Sequence, residues 1–239
     1  MKRAFLRIRS ILIWIVAFPV FVVCISLVLL VALVYRGRRL EPLIKSVCRI
    51  ILFSCGVQLR VRGRENVEPG HQYILLMNHV NFFDPFVFYA AFPGWARGME
   101  EEKHFRWPLY GPMLRRIGAI PVDRKNSAKA RDSLKKAARL IRTKPDFSVL
   151  VLPEGTRTRD GKLGPFKRGA FILAVEAGLD LLPMVQIGAG RINHKGSRLI
   201  CPGRVDVVIG PPISPAGATR ENHDALFAKT REWFLSYVD

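Results

Sequence analysis

Apolar residues are distributed along this chain in two different ways. Residues 11–35 form 25 consecutive positions without a formal charge, ILIWIVAFPVFVVCISLVLLVALVY. Beyond residue 56 the apolar positions come in short runs and periodic patterns, separated by Gly, Pro and charged residues. The first pattern predicts a membrane-anchoring helix, because a span needs about 20 apolar residues at about 1.5 Å of rise each. It is too long for the apolar core of a cleaved signal peptide, and no small-x-small cleavage site follows it. A weaker apolar stretch at 43–53 predicts a second helix. Two arrangements fit: a re-entrant or interface-lying helix pair bent at Pro19, with both ends on the cytoplasmic face, or a plain single span.

The second pattern predicts an α/β domain. Val57, Leu59 and Val61 alternate with Gln58, Arg60 and Arg62, a period of two that marks a half-buried strand. Continuous apolar runs at 73–77 and 147–152 read as fully buried strands, and 181–187 and 204–209 add two more. Ala130, Leu134, Ala137, Ala138 and Ile141 share one face of a helix over 128–142 whose other faces are basic, with Ser127 as its N-cap. Residues 171–177 predict a short helix stopped by Gly178. Strands alternating with helices imply a central mixed, largely parallel sheet flanked by helices. The expected division is an N-terminal helical membrane anchor over 1–56 and one compact domain over 57–239.

Charge sharpens this picture. The formal net charge is +19, and it is not spread evenly. Residues 1–64 carry 12 basic side chains against 1 acidic, and residues 97–168 carry 19 against 8. The first block brackets the apolar run, which directs it at anionic lipid headgroups; with both flanks basic, the positive-inside rule selects no orientation. The second block needs another anionic partner. No nucleic-acid-binding motif accompanies it, so nucleic acid is not expected. Four Cys without a Cys-x-x-Cys pair define neither a disulfide framework nor a zinc site.

The chain contains no G-x-S-x-G elbow, H-E-x-x-H, Walker loop or dinucleotide G-x-G-x-x-G. Three other clusters sit at strand ends, where α/β folds place their sites. The first is NHVNFFD at 78–84. Of the five His, only His79 has an Asp five residues on, Asp84. A His held by a carboxylate is an imidazole base. On a helix the two would diverge by about 140°, so they meet only if residues 80–83 form a loop. The bland alternative makes Asp84 the N-cap of a helix that continues from Pro85. The second cluster is GAIPVDR at 118–124; read alone, Asp123 and Arg124 are a surface ion pair at a strand end. The third, PEGTR at 153–157, continues into a run rich in Gly, Lys and Arg. Its backbone N–H groups, hydroxyl and cations suit a phosphate oxyanion.

Taken in order, NHVNFFD, GAIPVDR, PEGTR and LLPMVQI (181–187) resemble the four motifs of the glycerolipid acyltransferase family, most nearly its bacterial 1-acylglycerol-3-phosphate acyltransferases. The likeness covers about residues 57–212, including Lys103, Pro108 and Gly111 ahead of the second motif and PGRVDVVIGPPI at 202–213. Pro121 in the second motif and the LLPMVQI form of the fourth depart from the family pattern. The resemblance implies an acyltransferase in which His79 takes the proton of a lysophospholipid hydroxyl and Asp84 orients His79. It also implies that Glu154, Gly155, Thr156 and Arg157 hold the acceptor's glycerol phosphate, with charge from Arg124 and Lys103. No metal or redox cofactor is implied; the co-substrate is a thioester of coenzyme A or acyl carrier protein. The expected acceptor is lysophosphatidic acid, with another lyso-lipid such as lyso-ornithine lipid as the alternative acceptor. A non-catalytic membrane-surface binding protein is the alternative of a different class. The expected place of action is the cytoplasmic face of the cell membrane.

Overall fold

The computed structural model describes residues 2–123, 127–144, 147–158 and 162–238. Two helices open the chain, α1 (Lys2–Val31) and α2 (Glu41–Ser54). They are followed by β1 (Val57–Arg62), β2 (Ile74–Met77), α3 (Asp84–Ala91), β3 (Ala96–Glu101), α4 (Tyr110–Ile117), β4 (Ile120–Val122) and α5 (Ser127–Thr143). The remainder comprises β5 (Ser148–Val151), α6 (Gly169–Ala177), β6 (Leu181–Ile187), α7 (Ala189–Ile192), β7 (Gly203–Ile209) and α8 (Asp224–Leu235).

Among the described residues the strands form one seven-stranded sheet in the order β1-β7-β6-β2-β5-β3-β4. All neighbours are parallel except β6 and β7, which pair antiparallel with Met184 opposite Ile209. The expected mixed, largely parallel sheet is therefore present. β2 lies between β6 and β5, with Ile74 registered to both Leu181 and Val149. Its four residues are wholly buried, as expected for a parallel strand covered on both faces. The β2, β5, β6, β3 and β4 strands all run the same way, so the loops that follow them gather at one edge. That edge carries NHVNFFD after β2 and PEGTR after β5, while LLPMVQI is β6 itself and GAIPVDR includes β4.

Two groups of helices flank the sheet. In one, α5 and α6 pack together, and Phe171 of α6 meets Phe227 of α8 with ring centroids 4.9 Å apart. Gly178 ends α6 in the left-handed region at φ 66°, as its position after an apolar run predicts. In the other group α2 packs on α3 and β1, and α1 packs on α2 and α4.

The α1 helix begins earlier than the apolar run, at Lys2 rather than residue 11, and it continues unbroken through Pro19. Lys and Arg are good helix formers with long stems, so the basic flank prolongs the helix instead of ending it. The Ala4–Val31 segment, with mean hydropathy 3.0 in its best window, is long and apolar enough to cross a membrane. Yet it lies fastened along the domain. The Ser10 hydroxyl accepts the Ile200 N–H at 2.9 Å, and the Trp14 indole donates to the Arg198 carbonyl at 2.7 Å. Further along, Phe21 meets Phe86 edge-on at 6.2 Å, and Cys24, Val28 and Ala32 join the same core as the sheet. Phe5, Ile8, Leu12, Ile15 and Leu30 remain on its exposed side.

At the far edge of the sheet, β1 runs into Gly63, whose φ is +79° and whose Cβ, if it had one, would stand 1.9 Å from the Ile209 carbonyl oxygen. That oxygen already accepts the Asn66 side-chain amide at 2.9 Å. Gly63→Ala should therefore cost about 2 kcal/mol or more of stability, read as a lower urea midpoint in detergent.

Candidate active site

The first loop at the functional edge is built from side chains that copy backbone pairing. At the end of β2, the Asn78 amide donates to the Gln186 carbonyl at 3.0 Å and its oxygen accepts the Gln186 N–H at 2.8 Å, adding one rung between β2 and β6. Asn81 then turns the chain. Its oxygen accepts the Phe83 N–H at 2.8 Å, and its amide donates to the carbonyls of Ala189 at 2.8 Å and Asn193 at 3.1 Å. Residues 79–83 are thus a loop, the condition under which His79 and Asp84 can meet.

They do meet. Asp84 is fully buried, and its Oδ2 lies 2.6 Å from Nδ1 of His79. The same oxygen accepts the Val80 N–H at 2.9 Å; Oδ1 accepts the Asn81 N–H at 3.0 Å and the Gln186 side-chain N–H at 2.7 Å. Four donors therefore surround the carboxylate. Asp84 is the first residue of α3, but its side chain bonds backward onto the loop and makes no capping bond to the helix. The N-cap alternative is thereby excluded. Because the carboxylate can only accept, Nδ1 of His79 carries the proton and Nε2 the lone pair, which makes Nε2 the basic atom.

The third motif braces this loop. Glu154, 4% exposed in the turn after β5, accepts the His79 N–H at 2.8 Å on one oxygen and the Gly164 N–H at 2.9 Å on the other. Burial pushes its carboxyl above the usual range, while those two N–H groups and His79 draw it back down. The Thr158 N–H adds a bond to the His79 carbonyl at 2.9 Å. Both Glu154 oxygens are thus occupied by main chain, and the residue acts on the site by holding two loops together. Gly155 turns at φ +66°, and a Cβ there would press on the Lys167 stem at 2.9 Å. Beside it, Lys195 donates to the Thr156 hydroxyl at 3.0 Å and to the Arg157 carbonyl at 2.9 Å.

The structure thus brings together His79, Asp84, Glu154, Gly155, Thr156 and Arg157. Lys103 lies in the turn after β3, is exposed, and pairs with Glu101 at 2.8 Å. Arg124 lies outside the described residues. Two contributors were not singled out from sequence. Gln186 had a usable signal, a lone amide in an apolar strand that must find a partner when buried. Lys195 had none beyond its charge. Among the described residues no group of three or more His, Cys, Asp or Glu stands close enough to hold a metal ion.

A half-buried His79 paired with a fully buried Asp84 thus stands at a strand end of a largely parallel sheet, beside a basic Gly-containing turn, an arrangement shared with known enzymes. The family described as Acyltransferase matches residues 58–187, and the chain belongs to that family. Its relatives include a 1-acyl-sn-glycerol-3-phosphate acyltransferase of Limnanthes douglasii, 32% identical over 165 residues that cover 69% of this chain and 58% of the relative. The 1-acyl-sn-glycerol-3-phosphate acyltransferase alpha of Mus musculus is 30% identical over 206 residues, 84% of this chain and 71% of the relative. The chain thus spans somewhat over half of the plant relative. The crystal structure of the 1-acyl-sn-glycerophosphate acyltransferase PlsC from Thermotoga maritima has the same fold, with a TM-score of 0.81, 22% identity and 97% of each chain covered.

Glu154 yields a test of the brace. A carboxyl raised by burial binds its proton more tightly when folded, so its charged form opposes folding. This opposition is absent below the unfolded carboxylate pKa and complete above the raised one. Glu154→Gln lacks it but turns an amide N–H against one backbone donor. The stability advantage of the native chain over this variant should therefore shrink as pH rises from about 4 through the raised value, measured by urea titration at several pH values.

Proposed function

We propose that the chain transfers a fatty acyl group from an acyl thioester to the sn-2 hydroxyl of 1-acyl-glycerol-3-phosphate, forming phosphatidic acid. The observation that carries this reading is the 2.6 Å contact between His79 and Asp84, set against a cationic turn. Nε2 of His79 takes the hydroxyl proton as the acceptor oxygen attacks the thioester carbonyl carbon. The carbonyl pair moves onto oxygen; the tetrahedral intermediate then collapses, re-forming the carbonyl and breaking the carbon–sulfur bond. The departing thiolate receives the proton from the imidazolium, so the enzyme is restored and no acyl-enzyme forms. Asp84 keeps the tautomer and stabilises the imidazolium.

The acceptor's phosphate is assigned to Thr156, Arg157 and the Gly155 turn, with Lys195 adding a cation and Lys103 and Arg124 reinforcing the field. Coenzyme A or acyl carrier protein supplies the thioester. We place α1 in the plane of the cytoplasmic leaflet, its exposed apolar side among acyl chains and its arginines at anionic headgroups. The contacts at Ser10, Trp14 and Phe21 support this arrangement over a single span, because both halves of α1 are attached to the domain.

Three substitutions test the chemistry with purified enzyme in detergent, a labelled acyl thioester and a panel of lyso-lipids. His79→Ala should abolish transfer without releasing the protein from vesicles; a retained rate would remove His79 from the base role. Asp84→Asn should lower kcat on the order of 10²-fold or more, since an amide there sets an N–H against one of the four donors. Arg157→Ala should raise KM for the acceptor more than for the donor. Equal effects on both would count against phosphate binding.

A further inference from the structure

Gln186 is the one residue with a polar side chain in LLPMVQI, and it is 1% exposed. Its Nε2 donates to Oδ1 of Asp84 at 2.7 Å and to the Asn78 carbonyl at 3.0 Å. The reversed amide would place three acceptors together, so the N–H groups must face inward. The amide oxygen, Oε1, is then left buried with no hydrogen-bond partner. A residue selected for packing alone would avoid that, since an apolar side chain of similar volume leaves nothing unsatisfied.

The origin of Asp84's other donors gives the amide its purpose. The Val80 N–H, the Asn81 N–H and Nδ1 of His79 all belong to the loop that Asp84 orients, so they move with it. Gln186 stands on a central strand, locked to Asn78 through its own backbone N–H and carbonyl. It is the donor that ties the carboxylate to a fixed point of the sheet. We propose that Gln186 is a positioning residue for the general base: its amide fixes the Asp84 carboxylate in the orientation that holds His79 Nδ1, and so aims Nε2 at the acceptor hydroxyl. This rests on the assignment of His79 as the base.

Two variants of the full chain in detergent test it. Gln186→Met keeps the volume and removes the donor. It should lower kcat about tenfold while leaving KM for both substrates within about twofold, because only the base is disturbed. Gln186→Glu supplies a donor only while the introduced carboxyl is protonated. The ionisable groups around it are Asp84, which it contacts directly, and His79 on the other oxygen of that carboxylate, with Glu154 behind the His79 N–H; Asp206 of β7 is registered to Ile187 and so lies on the opposite face of the sheet. Ionisation would set a second negative charge directly against Asp84. The ratio of its kcat to that of the native chain should therefore fall as pH rises, whereas the ratio for Gln186→Met should stay level. A purely structural bridge would, when lost in Gln186→Met, lower kcat and raise KM for both substrates together. That result, or full kcat in Gln186→Met, overturns the proposal; if the Met variant does not fold, the pH dependence of the Glu variant decides alone. His79→Ala assayed alongside separates the two ideas: activity retained there overturns the base itself, whatever the Gln186 variants do.

Discussion

A single buried carboxylate sets the conditions for the rest of the site. Asp84 has no exposed surface, and an unpaired charge in that position would cost several kcal/mol. Four donors meet it, and each has a structural consequence. The Val80 and Asn81 N–H groups reach it only if the chain turns sharply after β2, which is why Asn81 is anchored to α7 and to Asn193. The Gln186 amide reaches it only if β2 and β6 keep their register, which Asn78 secures with an extra rung. His79 completes the set and acquires its tautomer from the same bond. Loop shape, strand register and base chemistry therefore follow from one requirement, that a buried anion be fully hydrogen-bonded.

Glu154 extends the same logic one layer outward, with a difference. Its two donors come from separate loops, His79 in the first and Gly164 in the third. The carboxylate thus acts as a clamp between the loops that follow the neighbouring strands β2 and β5. Burial in the clamp raises the Glu154 carboxyl above its ordinary range, and the two N–H groups offset part of that rise. With Glu154 engaged in this way, the proposed phosphate site falls to the turn itself and to Lys195, which already bonds the Thr156 hydroxyl and the Arg157 carbonyl.

Much of the architecture was legible because pattern reports burial. β2, β5 and β6 are covered on both faces and read as apolar runs, and α5 shows one apolar face against basic ones. β3 was not legible: ARGMEE is mostly half-exposed near the sheet edge, so burial imposes no period on it. Hydropathy marks where α1 is apolar, not where it begins; its basic first turns from Lys2 lie within the helical segment expected over 1–56. At the site, the ordered motifs located the residues, and the loop requirement between His79 and Asp84 could be stated from spacing alone. What each residue touches could not. The resemblance assigned Glu154 to the acceptor, and the folded chain adds that two backbone N–H groups meet its carboxylate. Lys195 lies nearly forty residues from Thr156, a separation that no local pattern bridges.

The α1 helix, long and apolar enough to cross a membrane, also packs against the loop that carries His79. Trp14 of α1 stacks near Phe82, at 6.3 Å between centroids, and Phe82 lies against Phe83 at 4.2 Å, both within the loop that holds His79 and Asp84. Phe83 in turn meets Phe86, which Phe21 of α1 contacts from the other side. An aromatic chain thus leaves α1, passes through the loop between His79 and Asp84 and returns to α1. Such a closed contact makes the helix a wall of the site instead of a tether to it, since moving α1 away would uncover Phe82 and unsettle the loop. On the proposed reaction this arrangement has a physical use. A lyso-lipid can keep its chain among the hydrocarbon that faces Leu12 and Ile15 while its hydroxyl reaches His79, so the long apolar chain need not be transferred into water, at about 0.8 kcal/mol for each methylene exposed.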